Sequence, residues 1–181
     1  MQAQILILAV ALCAATAPGF ADSPLAPYAG QQARTIKSLS DEDIAALLKG
    51  DGMGLAKSAE LNGYPGPAHV LMFGNDLKLT DTQRRQVQAV FDLMHEKAKS
   101  LGAEIVEREQ KLDQLFTSGQ ISKDKLVAAT VAIGKLQGQL RSVHLAAHLE
   151  IKKLLSQDQI AAYDRVRGYG GMSEPMHHHH D

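Results

Sequence analysis

Two histidines, His144 and His148, stand four residues apart in a segment with helical periodicity. On an α-helix this spacing places both imidazoles on one face, so both can reach the same ion. The heptad that puts Leu140 at a core position puts both histidines beside the buried stripe, on an accessible flank. The pattern therefore predicts either half of a Zn, Ni or Cu site or two solvent-facing histidines.

The missing ligands are expected from the earlier part of the chain. Glu60 is the first choice because a carboxylate can complete a histidine site. His69 with Met72, three residues apart on one helical face, is the next choice. Met94 and His95 lie beside the stripe of a later helix, where Met94 is predicted to fill the core.

The C-terminal residues form a second candidate for metal binding. Four consecutive histidines follow Met172 and Met176, namely His177, His178, His179 and His180. Such a segment collects Cu, Ni or Zn weakly, without preformed geometry. It is either a native metal-collecting tail or an affinity tag, and four histidines followed by Asp181 favour the native tail.

Several function classes do not fit the sequence. A zinc protease helix needs Glu directly after its first histidine, and Leu145 stands there. No nucleophile has a plausible base partner, which indicates a binding protein and not an enzyme. The net charge is −1 with 22% charged residues, so no polybasic nucleic-acid surface is expected.

The first residues have the composition of an export signal. An apolar run from Ile5 to Ala15 precedes small residues suited to cleavage after Ala21, although a buried apolar helix is the alternative. We therefore predict a signal peptide over residues 1–21 and a periplasmic location. The expected remainder is a flexible arm at 22–38, one helical domain at 39–169 and a disordered Met/His-rich tail at 170–181.

Capping residues divide the domain into helices. Hydroxyl side chains at Ser40, Thr80, Ser122 and Ser156 precede amphipathic runs, as N-caps do. The predicted helices cover 41–49, 55–61, 67–73, 81–116, 123–154 and 157–167. The two long helices share a short bend, so we expect an all-α, antiparallel hairpin flanked by short helices. Each stripe is covered on one side only, which favours a homodimer.

Two copies of one sequence motif, L-[ST]-x-x-Q, stand where helices begin at either end of this pair. Its members are Leu79, Thr80 and Gln83, then Leu155, Ser156 and Gln159. In each copy the hydroxyl and the Gln form a capping box. Over residues 39–169 the chain resembles the LTxxQ family of periplasmic proteins, which includes Spy, CpxP, ZraP and the CnrX-type metal sensors.

The resemblance implies a hooked helical hairpin that pairs into a cradle-shaped dimer. It also implies one of three roles: binding unfolded proteins, restraining a membrane sensor protein, or sensing a metal. We expect first an ATP-independent chaperone or envelope-stress adaptor acting on unfolded or stress-exposed proteins. The alternative is a sensor or resistance protein for Zn, Ni or Cu.

The resemblance also bears on the ligands. In the CnrX-type sensors a His and a Met four apart coordinate the metal, so His148 would replace that Met here. Those sensors add two histidines from their first helix, whereas His69 is the first histidine of this chain.

Overall fold

The chain is described by a computed structural model that covers residues 26–169. Residues up to Gln32 belong to one compact unit and Ala33 onward to another. Of the first unit only 26–32 are described, a turn entering a short 3-10 helix. The second contains α1 (Asp41–Lys49), α2 (Lys57–Glu60), α3 (Pro67–Met72), α4 (Asp81–Thr117), α5 (Lys123–Leu154) and α6 (Gln157–Val166).

The predicted all-α hairpin is confirmed. Helices α4 and α5 pack against each other along their length, and no strand occurs within residues 26–169. Each long helix begins after its predicted cap, since Thr80 accepts from the amide of Gln83 and Ser122 from that of Lys125. None of the helices in this part of the chain is long and apolar enough to cross a membrane.

The hairpin is filled by two separate hydrophobic clusters. One lies where α4 starts and α5 ends, and it includes Val87, Ile151 and Tyr163. The other lies further along, where α1 covers the hairpin through Leu47 and meets Ile105. Burial of such side chains contributes about 1.5–3 kcal/mol each to folding. Between the clusters, α4 and α5 carry the buried apolar Met94 and Ala147 together with the buried polar His144 and His148.

The two L-[ST]-x-x-Q motifs contact each other in the folded chain. The Gln83 amide donates to Gln159 Oε1 at 2.9 Å, and the Gln159 amide donates to Gln83 Oε1 at 3.0 Å. Each Oε1 also accepts from the backbone amide of its own cap residue, completing both capping boxes. The starts of α4 and α6 are therefore held together by two hydrogen bonds between the glutamines, and each accepting oxygen also takes the capping bond of its own helix.

Gly102 lets α1 approach α4 closely. A Cβ atom at this position would lie 2.0 Å from the carbonyl oxygen of Leu47. Gly134 and Gly138 on α5 differ, because a Cβ at either would have no atom within 4 Å. These two glycines therefore permit no close approach within the single chain, and their effect there is to lower the local stability of the helix.

We expect Gly102→Ala to lower the free energy of unfolding by about 2–3 kcal/mol, because the new methyl group collides with backbone that cannot move aside. Gly134→Ala is the matched control and should raise stability by about 0.5–1 kcal/mol through helix propensity. Urea unfolding followed by circular dichroism measures both. Equal effects of the two substitutions would contradict the close approach.

A double-mutant cycle tests the glutamine pair. Gln83→Ala and Gln159→Ala should show a coupling free energy of about 1 kcal/mol, because either change removes the same shared bonds. As a control, the changes in unfolding free energy caused by Gln83→Ala and by the exposed Gln137→Ala should be additive. Additivity of the first pair would mean that the two caps act independently.

Candidate metal centre

A cavity of about 620 Å³ opens between the two hydrophobic clusters. Helices α2 and α3 and the glycine-containing loop after α1 form one wall, while α4 and α5 form the other. All four histidines of the described residues line it, together with Glu60. Its further polar and sulfur-containing lining residues are Asp51, Met53, Lys57, Met94, Arg167 and Tyr169.

The two histidines of α5 are buried, so the expectation of an accessible flank is wrong. His144 is 4% and His148 is 7% exposed. The physical reason is that α2 and α3 pack across this side of α5. A heptad pattern reports only the stripe facing the neighbouring long helix, so it gives no sign of a cover supplied by short helices.

Backbone contacts fix the tautomer of His148. Its Nδ1 lies 2.7 Å from the carbonyl oxygen of Tyr64, and because a carbonyl can only accept, Nδ1 carries the proton. Nε2 then keeps its lone pair, which is the arrangement found in metal-binding histidines. Gly66 makes room for this ring, since a Cβ there would lie 3.1 Å from Nε2.

His144 holds a buried nitrogen without a partner. Its Nε2 is the single buried side-chain nitrogen or oxygen in residues 26–169 that makes no hydrogen bond. Burial lowers the pKa of His144, and the nearby His148 and His95 lower it further. The imidazole is therefore held neutral, the form in which histidine binds metal. An unpaired buried donor or acceptor costs about 1–3 kcal/mol, which a ligand could recover.

Glu60 approaches the same cavity from α2, but most of its bonds go to the C-terminal helix. Its Oε1 accepts from the Tyr163 hydroxyl at 2.5 Å, from Arg167 Nε at 3.2 Å and from the Tyr169 hydroxyl at 3.2 Å. Its Oε2 lies 3.8 Å from His148 Nδ1. Burial raises the pKa of Tyr163 strongly, and the adjacent carboxylate adds to this shift.

His69 stands on α3 at the cavity edge. Its Nδ1 lies 3.8 Å from Glu60 Oε1. Its pKa is lowered first by burial and then by the charge of Arg167, while Glu60 acts in the opposite direction. Met72, expected beside it, is 70% exposed at the last turn of α3 and is not among the cavity-lining residues.

His95 is a cavity histidine that the sequence did not assign to the site. Its Nε2 donates to the carbonyl oxygen of Lys49 at 2.7 Å, so Nδ1 is left with a lone pair. The ring stacks on Phe91 with centroids 5.3 Å apart. Met94 is buried, as predicted, but it also lines the cavity. The available signal for His95 was its position directly after Met94, beside the apolar stripe of α4.

The donors share one cavity without forming a finished site. Within residues 26–169 no group of three or more His, Cys, Asp or Glu side chains is close enough to hold an ion. The donor chemistry nevertheless fits a metal, because His144 Nε2 is unpartnered and His148 Nε2 keeps a lone pair. The predicted tail ligands His177–His180 and the predicted signal peptide lie outside the described residues.

Comparison with known proteins gives the family. Residues 55–162 match the family model described as heavy-metal resistance, which covers more than half of the chain. The protein therefore belongs to the heavy-metal resistance family, part of the Spy/CpxP/ZraP-like helical group. No curated protein and no solved structure matches the chain.

Proposed function

We propose that this protein is a periplasmic heavy-metal sensor or resistance protein that binds one metal ion in the cavity between α2–α3 and α4–α5. It is a binding protein and not an enzyme in this proposal. Membership of the heavy-metal resistance family supports the metal, and the apolar run before Ala21 supports the location.

The buried, unpartnered Nε2 of His144 is the observation that carries the proposal. One helical turn further on, His148 offers Nε2 as a second ligand atom, because the bond of Nδ1 to the Tyr64 carbonyl already fixes the tautomer of the ring. Glu60 and His69 would complete the ligand set from the opposite wall, once the carboxylate turns toward the histidines. Metal binding thus requires side-chain movement within a cavity that the fold already provides.

The donor types indicate the class of metal. Imidazole nitrogens with one carboxylate suit Zn, Ni and Cu and do not suit Mg or Ca, which prefer oxygen ligands alone. His144 and His148 stand on α5, whereas Glu60 and His69 stand on α2 and α3, so an ion held by all four would link the two walls of the cavity. Such a link is a change that a sensor can report.

Calorimetry with Zn, Ni and Cu tests this proposal on the full chain with His177–His180 replaced by alanine. We expect one internal site per chain. His144→Gln or His148→Gln should each weaken binding by at least about 100-fold, since loss of a supporting contact alone costs 10–100-fold. Leu149→Gln, an exposed change on the same helix, is the control and should leave affinity unchanged.

Failure of the tail-substituted chain to bind any of the three metals would refute the proposal. Unchanged affinity of both histidine variants would refute the assignment of the ligands. Circular dichroism of each variant confirms that the helices are retained.

The chaperone or stress-adaptor role is a second candidate, and one observation favours it. The distal half of the hairpin exposes large apolar side chains: Phe116 is 56%, Val127 54% and Val131 65% exposed. Scattered apolar contacts of this kind suit weak binding of unfolded proteins or of a membrane sensor protein. A homodimer that covers the same surface is the competing use of these residues.

The two valines stand four apart on one face of α5, so they can be removed together. If this surface holds clients, the protein should suppress aggregation of a denatured client at equimolar ratio. Val127→Asp with Val131→Asp should lower that suppression several-fold, while metal affinity stays constant. Absence of suppression by the unaltered chain, at both equimolar and lower ratios, would argue against the chaperone role.

A further inference from the structure

The two oxygens of the Glu60 carboxylate have different neighbours, although both lie near a cavity histidine: Oε1 is 3.8 Å from His69 Nδ1 and Oε2 is 3.8 Å from His148 Nδ1. Three donors from the end of α6 and the residues after it converge on Oε1, namely Tyr163, Arg167 and Tyr169. Oε2 faces His148 and the cavity. One carboxylate thus joins the proposed metal ligands to the C-terminal segment.

Arg167 and Tyr169 behave as one unit. Arg167 Nη2 donates to the Tyr169 hydroxyl at 3.0 Å, and its guanidinium lies 5.4 Å from the centre of that ring. Both residues also line the cavity. Their backbone amides bond back to α6, with Tyr169 donating to Asp164 at 2.8 Å. The segment is short and half exposed, so it can leave without unfolding the core.

We propose that Arg167 and Tyr169 form a latch on Glu60 that metal binding releases. The inference rests on the proposed function and concerns the regulation of the same site. The Arg167 guanidinium forms an ion pair with the partly buried Glu60 carboxylate at 3.2 Å. A divalent cation drawn to His148 needs that carboxylate as a ligand and repels the guanidinium, so the two cations compete for Glu60.

Tyr163 plays a different part, because its hydroxyl is neutral. It is fully buried and also contacts the amide of Gly66 at 3.4 Å, so it stays in place when the latch opens. It acts as a positioning residue that holds Oε1 in place while Oε2 turns toward the histidines. Removal of Tyr163 and removal of Arg167 should therefore change metal affinity in opposite directions.

The test uses calorimetry on the full chain with His177–His180 replaced by alanine. Arg167→Gln should bind the metal about tenfold tighter, the order expected for removing one partly screened unit charge near a cation. Arg167→Lys should stay within about threefold of the unaltered protein, because the charge is kept. Arg165→Gln, an exposed change on the same helix, is the control and should have no effect. Tyr163→Phe should weaken binding by about tenfold.

Hydrogen exchange gives a readout that a purely structural role of Arg167 would not produce. Coupling is reciprocal, so saturation with Zn should speed exchange of the amides of residues 167–169 by a factor similar to the affinity gain of Arg167→Gln. Exchange within α5 should slow or stay constant. The same amides in Arg167→Gln should exchange fast with or without Zn.

Two outcomes would overturn the latch while leaving the proposed function intact: metal affinity equal or weaker in Arg167→Gln, or slower exchange of residues 167–169 with metal. Either would mean that Arg167 supports the bound ion. Absence of metal binding by the tail-substituted chain that carries no further substitution would overturn the function and the latch together, which distinguishes this result from the first two.

Discussion

The hydrogen bonds exchanged by Gln83 and Gln159 are the constraint on which the site depends. They join the first turns of α4 and α6, and the two Oε1 atoms that accept them also accept the backbone amides of Thr80 and Ser156 in the capping boxes. With α6 fixed in this way, its far end is directed at α2, where Tyr163 and Arg167 reach Glu60. The repeated L-[ST]-x-x-Q motif therefore does more than begin helices, because it also determines the position of the residues that bind the Glu60 carboxylate.

The sequence predicted the helices well because their signals are local. A hydroxyl followed three residues later by Gln or Asp needs only its own turn to act, and so Ser40, Thr80 and Ser156 each begin a helix as expected. The antiparallel arrangement of the two long helices followed from the short bend between them. The second short helix is the least accurate of these predictions, since it keeps a single turn, Lys57–Glu60, of the span expected at 55–61.

The burial and the neighbours of the candidate ligands could not be predicted from such local signals. The burial of His144 and His148 comes from α2 and α3, whose position over α5 depends on long-range packing. The glutamine pairing and the place of His95 depend on the register of the helices, which no single helix encodes. Gly102 shows the same limit, because its role is visible only once the carbonyl of Leu47 lies against it.

The position of the cavity between the two hydrophobic clusters has a consequence for stability. Val87 and Ile151 belong to one cluster, Ile105 and Leu140 to the other, and the histidine-lined cavity lies between them. Met94 and Ala147 are buried in this gap, and α4 and α5 run through it without a break, so both clusters belong to one compact unit. An ion bound at the cavity would link the short helices α2 and α3 to α5, and because it binds only the folded chain it would raise the free energy of unfolding of the whole unit.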